Sequence, residues 1–331
     1  MMPLKIGVIG TGHLGRLHAR MLSKIDSADL VGVFDVNMKK SEQVAEEFGV
    51  KQFSSLDRIL AAVDAVTIAT DTKAHYAVAE KALAEGKHLF IEKPITSTVE
   101  DADRLARSAR EKNLVVQVGH IERFNPAILA LDRYRVQPMF IESHRLAQFN
   151  PRGTDVAVVL DLMIHDIDII LSFVDSPVER IEANGVAVVS DSVDIANARI
   201  QFENGCVANV TGSRISQRRM RKMRLFQPNE YISLDFSEGT VEVFRLVDAD
   251  DPHGVGTMML GELESGAVRR KIIYEQPEVK EVNALEYELK LFVEAITSGA
   301  RPIIGADEGK RALEVAQTIM EKIHQQRLPG T

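Results

Sequence analysis

Asp161 and His165 lie four positions apart in the stretch Asp161-Leu162-Met163-Ile164-His165-Asp166-Ile167-Asp168. A histidine titrates near neutral pH, and a carboxylate one turn away can orient and tune its ring. The pair therefore suits general acid–base work. If the segment is helical, Asp161, His165, Asp168 and Ser172 form one polar stripe. The remaining faces are mostly Leu, Met, Ile and Val, too apolar for a surface helix. The spacing predicts a buried helix whose stripe lines a wet cleft. A helix with one solvated face is the plainer alternative.

A second reactive group is Lys93, in the turn Glu92-Lys93-Pro94 that directly follows the apolar run His88–Ile91. Open parallel sheets bind ligands beyond the carboxyl ends of their strands. A lysine there is placed to reach a bound substrate, and Pro94 restricts the backbone around it. An ordinary surface lysine in a strand-to-helix turn is the alternative.

Gly10-Thr11-Gly12-His13-Leu14-Gly15 matches G-x-G-x-x-G between an apolar run and a helical pattern. In a dinucleotide loop Gly10 permits the tight turn, Gly12 admits the pyrophosphate, and Gly15 lets helix and strand pack closely. The helix N-terminus then presents N–H groups to phosphate. Asp35 closes the second apolar run, where its carboxylate would accept bonds from ribose hydroxyls and repel a 2′-phosphate. NAD is thus expected over NADP, although Lys39 and Lys40 soften the preference. A glycine turn in an unrelated α/β protein is the competing explanation.

Arg214, Arg218, Arg219, Arg221, Lys222 and Arg224 crowd into one short run. Arginine pairs well with phosphate oxygens, so a phosphorylated or nucleotide-linked substrate would fit. A solvated hairpin or a subunit contact explains the run equally well. Arg145 and Arg152 are weaker candidates for the same role. The nine histidines and single cysteine show neither H-x-x-x-H nor C-x-x-C spacing, so no metal site is expected.

Elements that would position these groups alternate strand and helix through residue 120. Apolar runs at 4–9, 30–34, 65–69, 88–91 and 115–118 are separated by helical patterns at 14–23, 41–48, 74–85 and 99–112. That pattern implies βαβ units and a doubly wound parallel sheet of the Rossmann type. The signal then changes. Helical patterns at 125–134 and 157–174 precede strand-like runs at 178–189, 195–202, 206–212, 221–226, 231–236 and 240–246. Strands in succession imply an α+β domain with a large open, mostly antiparallel sheet. Residues 248–266 read as a loop, and helical patterns return at 284–296 and 307–324. The expected division is a cofactor domain over 1–120 and a substrate-binding and oligomerisation domain over 121–331. The helix at 307–324 could pack back on the first.

With 331 residues and 45% hydrophobic side chains, the chain can bury a large core. A formal net charge of -8 gives no global attraction to nucleic acid. The lone Cys206 allows no intrachain disulfide. No secretory leader and no apolar run of membrane length is evident, which points to a cytoplasmic, soluble protein without a membrane partner.

Taken together, the glycine loop at Gly10–Gly15, the Ala69-Thr70 strand end, Glu92-Lys93-Pro94, the Asp161/His165 pair and the turn Ser298-Gly299-Ala300-Arg301-Pro302 resemble the Gfo/Idh/MocA oxidoreductases, in the family's order. The resemblance spans essentially the whole chain. It implies a nicotinamide-dependent dehydrogenase acting on a sugar or cyclitol hydroxyl. Lys93, Asp161 and His165 would be catalytic, and Thr70, Glu92 and Lys93 would join Gly10, Thr11, Gly12, His13, Leu14, Gly15 and Asp35 around NAD. It also implies a homodimer or homotetramer formed through the open sheet, and allows a cis peptide before Pro94. Asp71 departs from the proline that often follows Ala-Thr in this family.

The stretches 118–126 and 159–168 further resemble members that oxidise the 3-hydroxyl of UDP-N-acetylglucosamine. That similarity implies Lys93, Arg123, Asn125, Arg152, Asp161, His165 and Arg218 as substrate contacts. In the chemistry these residues support, His165 takes the hydroxyl proton, Asp161 orients it or binds the sugar, and Lys93 stabilises the alkoxide. Lys93 would serve as the base if burial lowered its pKa. A dehydrogenase of a free sugar or inositol is the nearest alternative function. A non-catalytic NAD-binding regulator is an alternative of a different class.

Overall fold

The computed structural model describes residues 2–150, 156–250, 257–265 and 268–326. The chain divides into two compact units, Met1–Ile121 with Asn283–Glu314, and Glu122–Val282 with Val315–Thr331.

In the first unit, β1 (Leu4–Ile9), α1 (His13–Leu22), β2 (Ala28–Phe34), α2 (Met38–Phe48), β3 (Lys51–Gln52) and α3 (Leu56–Leu60) are followed by β4 (Ala65–Ile68), α4 (Thr72–Ala84), β5 (His88–Glu92), α5 (Val99–Glu111) and β6 (Val116–Gly119). The strands form a parallel sheet in the order β3-β2-β1-β4-β5-β6. This is the doubly wound arrangement that the alternating runs predict. Strand residues Ile6, Val8, Val66, Ile68, Phe90 and Ile91 are fully buried, as expected for strands covered on both faces. The short β3 and α3 give too few residues for a periodic signal and escape sequence reading.

The second unit opens with a 3-10 turn (Ile121–Phe124), α6 (Pro126–Leu129) and β7 (Phe140–Leu146). A π-helical turn (Val159–Met163) leads into α7 (Ile164–Phe173). Then come β8 (Val178–Val186), β9 (Ile195–Phe202), β10 (Val207–Ser213), β11 (Met220–Gln227), β12 (Glu230–Asp235), β13 (Thr240–Asp248), β14 (Thr257–Ser265) and β15 (Val268–Glu275). Nine strands make one sheet ordered β14-β15-β13-β12-β11-β7-β10-β9-β8. It is antiparallel throughout except where β7 and β10 run parallel. Two helices follow, α8 (Ala284–Ser298) in the first unit and α9 (Ala306–Gln326), which runs from the first unit into the second.

Besides the short β3 and α3, four elements differ from expectation, one being β15, which is not among the expected strands because Arg269, Arg270 and Lys271 interrupt its apolar pattern. Residues 257–265, expected as loop, form β14; Gly261 sits at a break in its register with β15, and that bulge glycine reads as a loop signal. The helix expected over 125–134 is confined to Pro126–Leu129, after which single turns at Leu131 and Tyr134 replace helical bonding. β7 gives no alternating apolar signal because its buried face carries Ser143 and Arg145 beside Ile141. Among the described residues, no helix is long and apolar enough to cross a membrane.

Candidate active site

The glycine loop joins β1 to α1, and its three glycines meet three different constraints. Gly10 adopts φ +88, and a Cβ there would stand 2.6 Å from the Ala69 carbonyl oxygen. At Gly15 a Cβ would fall 1.8 Å from the Gly10 carbonyl oxygen. Gly12 faces open space, with nothing within 4 Å of the position a Cβ would take. The loop is therefore tight where helix and strand pack and open where a pyrophosphate would approach. Gly12 also begins α1 without a side-chain cap, leaving the helix N-terminus free to receive an anion. His13 and Leu14, in the first turn, are exposed. These residues fit a bound dinucleotide.

Asp35 lies just beyond β2 and holds this loop. Its carboxylate accepts from the Thr11 backbone N–H at 2.7 Å and the Thr11 hydroxyl at 3.1 Å. The other oxygen accepts from the Asn37 N–H at 2.8 Å. Thr11 is buried, so the carboxylate is fixed at the edge of the glycine turn.

Thr70 lies beyond the carboxyl end of β4, Glu92 ends β5 and Lys93-Pro94 follow it, with the Lys93–Pro94 peptide cis. Glu92 is buried, and its carboxylate lies 2.8 Å from Nε2 of the buried His18 on α1. Lys93 is half-buried. His75, in the first turn of α4, contacts the Pro94 carbonyl through Nδ1 at 3.0 Å and the Thr70 carbonyl through Nε2 at 3.0 Å. Burial pushes its pKa down, against the opposing pull of those carbonyls and of Glu92. Sequence reasoning missed His18 and His75: the partner of His18 lies 74 positions away, and the partners of His75 are backbone carbonyls, which no residue type marks.

In the second unit Asp161 lies within the π-helical turn and His165 in the first turn of α7, and both are half-buried. The helix is as buried as its composition predicts, with Ile164, Ile167, Ile169 and Ile170 inaccessible. The expected four-residue stripe is cut short. The π turn changes the angular register between Asp161 and the residues after it. Asp168 is buried and paired, while Ser172 is exposed and bonds its own helix at the Ile169 carbonyl.

Two arginine forks lock this helix. Arg145 on β7 meets Asp166 through Nε and Nη2 at 3.0 and 2.9 Å, and reaches Glu122 through Nη1 at 3.0 Å. Burial works against the charge on Arg145, but the two carboxylates outweigh it and raise its pKa. Arg123 makes a second two-pronged pair with Asp168 at 2.7 and 3.0 Å. Asn125 caps α6 and donates to the Phe236 carbonyl at 3.1 Å. Arg123 and Asn125, expected as substrate contacts, thus have structural partners within their own unit.

The basic run splits along the chain. Arg214 is buried and donates to the Val156 and Val193 carbonyls, bracing the entry to the π turn. Arg221 faces Glu122 at 3.4 Å. Lys222 and Arg224 alternate onto the outer sheet face, paired with Asp235 and Glu142. Arg218 and Arg219 are exposed ahead of β11. Arg152 lies outside the described residues. No cluster of His, Cys, Asp and Glu suited to a metal ion occurs among the described residues.

Comparison with known proteins identifies the family of both parts of the chain. Residues 4–120 match the profile described as "Oxidoreductase family, NAD-binding Rossmann fold" of Gfo/Idh/MocA proteins, and residues 131–242 match the family's C-terminal domain. The chain is 38% identical over 96% of its length to the UDP-N-acetylglucosamine 3-dehydrogenase of Acidithiobacillus ferrooxidans, of which it covers 96%. A crystal structure of that enzyme superposes with a TM-score of 0.87 at 36% identity, covering 98% of this chain and 99% of the other. The scyllo-inositol dehydrogenase of Lactobacillus casei, with bound NAD(H) and scyllo-inositol, shares the fold at 22% identity, with a TM-score of 0.76 over 98% of each chain.

Proposed function

The chain belongs to the Gfo/Idh/MocA oxidoreductase family, and from that premise we propose that it oxidises the 3-hydroxyl of UDP-N-acetylglucosamine to a ketone with NAD. The observation that carries this reading is the 38% identity to an enzyme of that activity over nearly the full length of both chains. The loop at Gly10–Gly15, Lys93 and the Asp161/His165 pair supply the groups such a reaction requires. A bound nicotinamide would accept the hydride.

The chain's own residues handle the oxygen and its proton. Lys93 stabilises the alkoxide as charge develops. His165 takes the hydroxyl proton, and Asp161 orients it or holds the sugar. Lys93 is the competing base. Arg218 is the member of the basic run that we assign to the diphosphate; it and Arg219 stand exposed ahead of β11, whereas Arg214, Arg221, Lys222 and Arg224 have partners within the fold. The negative Asp35 at the ribose end favours NAD over NADP. Replacing it with Ala weakens NAD more than NADP in a fluorescence titration; equal losses contradict ribose recognition.

A homodimer or homotetramer is part of the same reading. The outer sheet face carries an aromatic ladder, Phe140, Phe226, Tyr231, Phe244 and Tyr274, with adjacent ring centroids 5.0 to 5.9 Å apart. All five rings are half-buried in the isolated chain, which suits a second copy related by a two-fold axis. A monomeric mass in light scattering would exclude it. A reducing cytoplasm, where the nicotinamide and nucleotide-sugar pools lie, suits the single buried cysteine.

The decisive assay follows absorbance at 340 nm with NAD and a panel of UDP-sugars, inositols and free sugars. UDP-N-acetylglucosamine should be the best substrate, and Lys93→Met should lower turnover roughly 100-fold or more while NADH still binds. A preference for an inositol or free sugar supports the alternative substrate. No turnover with any alcohol supports a cofactor-binding regulator.

A further inference from the structure

The loops that follow β1, β4 and β5 are mechanically linked, and the last link is a histidine. Gly10 backs directly onto Ala69 and Thr70, where even a Cβ would collide with the backbone. The Ala69 N–H donates to the Ile9 carbonyl at 2.8 Å, so the ends of β1 and β4 are bonded together. Thr70 then meets His75, and His75 meets Pro94. A continuous chain of contacts thus runs from the dinucleotide loop to the cis peptide beside Lys93.

The His75 ring is enclosed, with 1% of its surface exposed. Both of its partners are backbone carbonyls, which only accept hydrogen bonds. Each contact therefore needs a ring N–H. A neutral imidazole supplies one and an imidazolium both. No apolar side chain of this size could hold either carbonyl, and the buried Pro94 carbonyl and the half-buried Thr70 carbonyl would then lose this partner.

We propose that His75 is a positioning residue of the dehydrogenase, tying the Lys93 turn to the Thr70 loop and so fixing the lysine ammonium relative to the dinucleotide loop. The inference rests on the catalytic role assigned to Lys93. It differs from a generic packing role because the ring joins two loops end to end instead of filling a cavity. Small displacements of a catalytic group have large effects on rate, so the consequence falls on turnover more than on cofactor affinity.

Three variants test this. His75→Leu removes the imidazole, so neither carbonyl keeps a ring N–H to accept from. His75→Gln keeps a two-donor carboxamide with comparable reach, and His75→Asn keeps the carboxamide with shorter reach. The expected result is a kcat loss of roughly tenfold or more for Leu, with the NADH Kd changed less than about threefold. Glutamine should recover more of the rate than asparagine. A second readout is independent of the sugar: the rate at which an amine-reactive reagent labels Lys93, followed by mass spectrometry. It should shift at least threefold in the Leu variant while labelling of Lys39 and Lys280 stays unchanged. Should the Leu variant fail to fold, the glutamine and asparagine pair carries the test. Wild-type kcat and Lys93 labelling in the folded variants would overturn the proposal. If the wild-type protein proves inactive on UDP-sugars, the substrate reading fails, while the labelling result still decides whether His75 positions Lys93.

Discussion

The two units place their functional groups by different means. In the first, backbone does most of the positioning. Gly10 and Gly15 set the loop, α1 starts without a side-chain cap, and carbonyls of Thr70 and Pro94 are gathered by His75. In the second, buried charge does it. Arg145 and Arg123 clamp Asp166 and Asp168 of α7 to the Glu122–Asn125 segment, and Arg214 braces the entry to the π turn. Backbone shapes are encoded by neighbours in sequence. Buried ion pairs join residues more than 20 positions apart and leave no local trace.

The contrast can be broken most forcefully at Arg145. Arg145→Met leaves Asp166 and Glu122 without their shared partner in a buried site. The expected loss is about 3–5 kcal/mol of unfolding free energy in a denaturant melt. The exposed pair of Arg224 with Glu142 provides the control, since Arg224→Ala should cost no more than about 1 kcal/mol. Equal losses would mean that the buried clamp contributes nothing special.

The backbone half of the comparison is sharpened by two glycines. Gly15→Ala puts a methyl group against the Gly10 carbonyl, and strain of this kind lowers stability by about 1–3 kcal/mol. Gly12→Ala meets open space, so the free protein should lose less than about 0.5 kcal/mol. NADH affinity should nonetheless fall roughly tenfold, because the pyrophosphate would approach the added methyl. An unchanged affinity in Gly12→Ala would remove the loop's assigned role.

The smallest effect is electrostatic and appears on acidification. Burial disfavours the charge of Asp194, but the Ser190 hydroxyl and the N–H groups of Val188, Val189 and Ser190 outweigh it and hold its carboxyl below the ordinary range. A native pKa below the unfolded value contributes stability above the unfolded pKa of about 3.9, and that stability is lost as pH falls toward the native value. Asp194→Asn should therefore make the stability curve shallower below about pH 4. An unchanged acid limb would contradict the assignment.

How much was legible in the sequence follows the same division. The doubly wound sheet, the glycine loop and the Lys93 turn could be read because each depends on local periodicity or on glycine and proline geometry. The open sheet was visible in outline, but β7 was hidden by Ser143 and Arg145 on its buried face, β14 by its bulge at Gly261, and β15 by the basic run Arg269-Arg270-Lys271. The Asp161/His165 pair was visible through spacing, whereas the π turn between them has no compositional mark. The basic run illustrates the limit most clearly. Its residues are contiguous in sequence, yet strand alternation and long-range partners send them to different surroundings.

The central claim concerns one carbon–hydrogen bond, and isotope transfer tests it most directly. UDP-N-acetylglucosamine deuterated at C3 would be incubated with NAD and the enzyme, and the reduced cofactor examined by mass spectrometry and NMR. The account predicts deuterium at C4 of the nicotinamide together with a 3-keto sugar. Reduced cofactor without label, or label retained in the sugar, would contradict it.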